Sequence, residues 1–107
     1  MVYTIDEIKE KVKPVAEKYS IPRIYLFGSH AKNEADETSD LDFAFDDTSS
    51  KVTDLLSLLQ VENDLEKQFN KNVDLLTIYQ LQNGKLPVAI QLYKNYNKEK
   101  VLVYEKT

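Results

Sequence analysis

Three aspartates and a Gly-Ser pair are the residues in this sequence whose types and spacing could do chemistry. Asp40 and Asp42 flank Leu41, and ten residues separate Asp40 from the dipeptide Gly28-Ser29. If residues 41–45 form a strand, both carboxylates leave the same face with Cα atoms about 6.6 Å apart, close enough to share hard divalent cations. Asp is a poor strand former and two like charges side by side repel, so the pair costs stability unless a cation compensates. Gly28-Ser29 ends an apolar run. A strand that stops there and leads into a short helix would turn free backbone N–H groups and a hydroxyl outward, a seat for phosphate oxygens. Asp74 is a third carboxylate, set in the apolar run Val73-Asp74-Leu75-Leu76.

Taken singly, each residue has a plainer role open to it. Gly28 could serve only a turn and Ser29 only a helix cap, Asp40 could cap a strand, Asp42 could face water, and Asp74 could accept from a neighbouring amide. Their joint occurrence at fixed spacing outweighs those roles. Around them, His30 is expected at the surface near the phosphate seat, and Lys32, Arg23 and Lys85 are candidate phosphate partners that nothing in the sequence separates from solvated charges.

The segment from Phe27 to Phe43, with Ala31, Ala35 and Ser39 in place, resembles the DNA polymerase beta-like nucleotidyltransferase superfamily. It is similar in particular to the minimal, stand-alone members paired with HEPN-domain proteins in toxin–antitoxin modules. Asn33 stands where many relatives carry glycine, and tolerates left-handed backbone better than most residues. His30 stands where arginine or tyrosine is common. The resemblance implies a polymerase beta-type fold, a small mixed sheet flanked by helices. It implies that Asp40, Asp42 and Asp74 are catalytic and hold two Mg²⁺ ions, and that Gly28 and Ser29 hold the phosphates of ATP. The product would be an AMP group on a tyrosine hydroxyl of a HEPN-family partner toxin, the chain being the antitoxin. A docking module without catalysis, or a transferase acting on a small molecule, are the other functions compatible with the motif.

Elements must position these residues. Thr4 and Glu7 have the form of a capping box, and Ile5, Ile8, Val12, Val15 and Tyr19 share one helical face, which predicts a helix over 5–19 with a kink or break at Pro14. Arg23 to Phe27 and Leu41 to Phe45 read as strands; in the second, Leu41, Phe43 and Phe45 face a core and the opposite face is acidic. A helix is expected over about 51–70, a strand at 73–77, a helical stretch after Gly84 and Pro87 to about 97, and an extended segment at 101–104. Alternating helices and strands predict an α/β or α+β domain, one sheet covered by helices, spanning residues 1–107.

Bulk properties limit the alternatives. The chain has 107 residues, 42% of them hydrophobic, and no apolar run near the roughly 20 residues needed to span a bilayer. The first residues lack a basic segment followed by an apolar one, so a cytoplasmic location is expected. There is no cysteine and one histidine, which removes thiol nucleophiles, cysteine-held zinc and a histidine-rich metal site. Any metal must be held by oxygen. The net charge of −4 argues against nucleic acid as a partner. It is unevenly spread: residues 1–50 hold 11 acidic and 6 basic side chains, residues 51–107 hold 7 and 8.

Overall fold

The computed structural model describes residues 3–28, 30–31, 35–36, 38–48 and 50–106. Helix α1 (Ile5–Lys18) starts at the expected capping box, in which the Thr4 hydroxyl accepts from the Glu7 N–H while the Glu7 carboxylate accepts from the Thr4 N–H. It runs through Pro14 without a break. The bond that Pro14 cannot donate belongs to the carbonyl of Glu10, and both residues are exposed, so the helix loses that bond without burying an unpaired acceptor. Strands β1 (Arg23–Phe27) and β2 (Leu41–Asp46) follow, then helix α2 (Leu55–Phe69) and strand β3 (Val73–Thr77). Helix α3 (Ile78–Gln82), helix α4 (Pro87–Glu99) and strand β4 (Val101–Glu105) complete the chain.

The four strands form one sheet in the order β3-β2-β1-β4. β1 runs antiparallel to β2 and to β4, whereas β2 and β3 are parallel neighbours joined by the crossover through α2. The main core lies on one face, where Ile24, Leu26, Leu41, Phe43 and Phe45 pack against Ile8, Val12 and Ala16 of α1 and Val61, Leu65 and Phe69 of α2. The opposite face is not simply acidic, as the alternation in β2 suggested. A second apolar cluster of Phe27, Ala44, Leu81 and Tyr96 closes it beneath α3 and α4, with the Tyr96 ring 5.6 Å edge-on from Phe27. Asp42 therefore occupies one uncovered end of a face that is otherwise packed.

Two expectations differ in detail. α2 begins at Leu55 rather than near Lys51, because Asp54 and Ser57 form a capping box there and the preceding residues anchor the loop, with Val52 buried and the Lys51 N–H bonded to the Tyr19 carbonyl at 2.9 Å. α3 was not expected: its five residues show no helical period, and Thr77 and Gln80 nucleate it with reciprocal capping bonds. Among the described residues no helix is long and apolar enough to cross a membrane.

Candidate active site

The antiparallel β1–β2 pair and the parallel β2–β3 pair bring three chain ends to one edge of the sheet: the end of β1 and the starts of β2 and β3. Across this edge Asp42 stands in register with Phe27 on one side and with Asp74 on the other. Asp40 lies one residue before β2 and is exposed. The sequence-predicted carboxylates are thus neighbours, with Asp42 in the middle.

Gly28 ends β1 with φ +77°, a left-handed conformation that side chains resist. It is also the point of closest approach to Asp42. A Cβ on residue 28 would overlap the Asp42 Oδ2 atom and come within 3.1 Å of its Cγ. Glycine is required here on both counts. Ser29, Lys32 and Asn33 lie outside the described residues, and the turn at His30 and Ala31 shows no helix among the described residues between Gly28 and Leu41. The expected helix after the Gly-Ser pair falls mostly outside the described residues, of which His30 and Ala31 form a turn.

Asp42 is half-buried and its carboxyl is pushed up to about 7, first by burial, then by a hydrogen bond to the Asp74 carboxyl and by the charges of Asp74 and Asp40. On α2, Glu62 is likewise held above the usual carboxylate range, by burial and then by the charges of Glu66 and Asp74. Like charges held close at this edge thus raise the proton affinity of Asp42 and Glu62. Among the described residues no three acidic or histidine side chains close around one point as a cage. The carboxylates meet in pairs instead. An all-oxygen, partly open set of that kind fits Mg²⁺, which takes one or two carboxylates and fills its remaining positions with water and substrate phosphate.

His30 departs from expectation. It is buried, only 6% exposed, rather than a surface residue. Its Nδ1 lies 3.2 Å from the carbonyl oxygen of Asp40. A carbonyl can only accept, so Nδ1 carries the proton. Nε2 is buried with no hydrogen-bond partner among the described residues, an arrangement that costs about 1–3 kcal/mol for a polar group. Burial, and then the Lys71 ammonium, push the imidazole below its ordinary value against the opposing bond to Asp40, which favours the neutral ring.

The basic residues sort differently from the sequence expectation. Arg23, at the far end of β1, is paired with Glu105 at 3.2 Å and sits away from the aspartates. Lys71, which the sequence did not single out, precedes Asn72, whose carbonyl accepts from the Leu41 N–H at 3.3 Å, and so lies at the acidic edge. Only the parallel pairing of β2 with β3 reveals it. Glu62 did leave a local signal, as the polar interruption of the apolar stripe on α2.

A four-stranded mixed sheet with helices on both faces, a glycine turn at the end of β1 and paired carboxylates at the start of β2 defines a nucleotidyltransferase of polymerase beta type. The chain belongs to that family: residues 10–107 match the family described as "Polymerase beta, Nucleotidyltransferase". It is 41% identical to an inferred protein adenylyltransferase of Methanocaldococcus jannaschii over 73 residues, covering 68% of this chain and 76% of that protein. It is 31% identical over 85 residues to the protein adenylyltransferase MntA of Thermococcus cleftensis, covering 76% of this chain and 84% of that one. Among solved structures, that of a tri-AMPylated Shewanella oneidensis HEPN toxin in complex with MNT antitoxin has the same fold, with a TM-score of 0.63, 16% identity, and coverage of 92% of this chain and 71% of that one.

Proposed function

We propose that residues 1–107 form one protein adenylyltransferase domain, which transfers AMP from ATP to a tyrosine hydroxyl of a HEPN-family toxin and so acts as its antitoxin. The observation that carries the proposal is the register of Asp42 with Asp74 beside the glycine turn at Gly28. The protein adenylyltransferases among its relatives and the AMPylated toxin in a complex of like fold support the acceptor. So do large apolar side chains left at the surface, among them Leu55 and Leu56 on α2 and Leu86 and Val88 at the start of α4, which suit a partner protein.

In this proposal Asp40, Asp42 and Asp74 hold two Mg²⁺ ions and Gly28 and Ser29 hold the outer phosphates. The ions would neutralise the triphosphate and stabilise charge on the attacking and leaving oxygens. Gly28 lets the backbone come close to Asp42, and Asp74 orients the acceptor and takes its hydroxyl proton. The hydroxyl oxygen then bonds to the α-phosphorus as the bond to pyrophosphate breaks, in line.

The test is to incubate the chain with ATP, Mg²⁺ and a HEPN-family protein from the same genome, and to weigh the HEPN protein. Mass increments of whole AMP groups are expected, localised to tyrosine. Asp42→Ala should slow transfer about a hundredfold or more, the order found when a preorganised charge contact to a transition state is removed. A HEPN protein that gains no mass but is neutralised equally by the wild-type and Asp42→Ala chains would replace catalysis with docking.

A further inference from the structure

The peptide unit that joins Asp40 to Leu41 sits between the two aspartates of the pair, and it is held at both ends. Its carbonyl oxygen is 3.2 Å from His30 Nδ1. Its N–H donates to the carbonyl of Asn72, two residues before Asp74, at 3.3 Å. One peptide plane thereby links the segment after Gly28, the start of β2 and the approach to β3. Its orientation sets ψ of Asp40 and φ of Leu41, and with them the directions in which the carboxylates of Asp40 and Asp42 leave the chain. Exposed loop backbone fixed by a bond at only one end would lose more freedom on binding a ligand.

We infer that His30 is a positioning residue: its imidazole clamps the Asp40–Leu41 peptide so that the Asp40 and Asp42 carboxylates are aimed, relative to the Gly28 turn, before nucleotide and metal arrive. Burial and polarity argue the same way. His30 and Thr77 are the two polar residues buried among those described. Thr77 uses its hydroxyl as the cap of α3, whereas His30 has one ring nitrogen bonded and the other, Nε2, buried without a partner among the described residues. A leucine or phenylalanine would fill the same space and leave no unpaired nitrogen. What the imidazole adds over an apolar residue is the N–H on Asp40. The inference rests on the proposed roles of Asp40 and Asp42 as ligands of a divalent cation.

The test uses three substitutions at this position. His30→Leu keeps bulk and removes the donor, His30→Asn places an amide N–H where Nδ1 lies, and His30→Gln places one where Nε2 lies. Mn²⁺ uptake is measured by electron paramagnetic resonance in the presence of a non-hydrolysable ATP analogue, alongside the melting midpoint and the Mg²⁺ concentration for half-maximal transfer. His30→Leu should weaken Mn²⁺ binding about tenfold, the loss typical on removing a group that orients a ligand, and raise the Mg²⁺ requirement in parallel, with kcat largely recovered at saturating Mg²⁺. His30→Asn should recover most of the affinity and His30→Gln should not. A role confined to packing would lower the melting midpoint and leave the metal requirement unmoved. Folded His30→Leu protein that binds Mn²⁺ like wild type overturns the inference, as does rescue by Gln but not by Asn. Should the Leu variant not fold, the Asn and Gln variants decide on the same criterion. If the wild-type chain itself takes up no Mn²⁺ with the analogue, the ligand assignment fails first and the clamp with it. Wild-type uptake with no loss in the variant removes only the clamp.

Discussion

Burial, the hydrogen bond to Asp74 and the charges of Asp74 and Asp40 hold the Asp42 carboxyl near 7, against an ordinary value of 3.8. An acid whose proton affinity is raised by folding stabilises the native state below its unfolded value and loses that contribution as pH climbs through the folded one. Here the window runs from about pH 4 to about pH 7. In metal-free buffer Asp42→Asn, which resembles the protonated carboxyl, should therefore melt higher than wild type at pH 8, and the gap should close near pH 4. Because the side chain is only half-buried, solvent screening reduces the full linkage value to about 1–2 kcal/mol. Thermal melts of both proteins across that range check it, and parallel curves would show that Asp42 is not strained. Gly28 is the complementary case. Gly28→Ala forces a side chain into φ +77° at about 1–2 kcal/mol, and its Cβ also displaces the Asp42 carboxylate. Urea unfolding should show that modest loss of stability, and initial rates a loss of transfer larger than stability explains.

Elements place these residues, and they differ in what their own sequence could say. β1 and β2 are short, apolar and bounded by turn residues, so local pattern alone locates them, and with them the Gly28 turn and the Asp40–Asp42 pair. The capping box of α1 was equally legible, since Thr4 and Glu7 are three residues apart. The register of Asp42 with Asp74 was not legible, because parallel pairing depends on how α2 returns the chain across the sheet. The burial of His30 and the approach of Lys71 to the acidic edge were hidden for the same reason, whereas Glu62 showed as a polar break in the stripe of α2. α2 runs from the far end of the sheet to the site, starting at Asp54 and ending beside Lys71 and Asn72. Its N-cap is thus remote from the aspartates. Asp54→Ala removes the bond to the Ser57 N–H at 2.8 Å and should cost about 1 kcal/mol of unfolding free energy. Transfer under conditions where the variant is folded should be unaffected, measured as kcat with ATP. A fall in kcat to match the Asp42 variants would mean that the far end of α2 is coupled to the site.

At the scale of the molecule, the folded chain gathers acidic side chains at one sheet edge, where the charges of Asp74 and Asp40 raise the proton affinity of Asp42. The surplus of negative charge in residues 1–50 has its most strained part there. Folding therefore leaves an electrostatic cost that a cation can remove, and a triphosphate that arrives with the cation brings further oxygens for it. A ligand that binds only the native state stabilises it by RT ln(1 + [L]/Kd), about 2.7 kcal/mol at a hundred times Kd. For a domain of this size that corresponds to a rise in melting temperature of about 10 °C or more. ATP and Mg²⁺ together should produce that shift at pH 8. ATP with a chelator should not, because its phosphates would meet Asp40, Asp42 and Asp74 with no cation between like charges. Asp42→Asn, already relieved of its charge, should melt higher than wild type without ligand and gain little from ATP and Mg²⁺, so the two proteins should exchange order as ligand is added. Differential scanning calorimetry of both, with and without Mg²⁺, tests the exchange. A shift with ATP alone as large as with ATP and Mg²⁺, or one retained in Asp42→Asn, would place the nucleotide somewhere other than this edge.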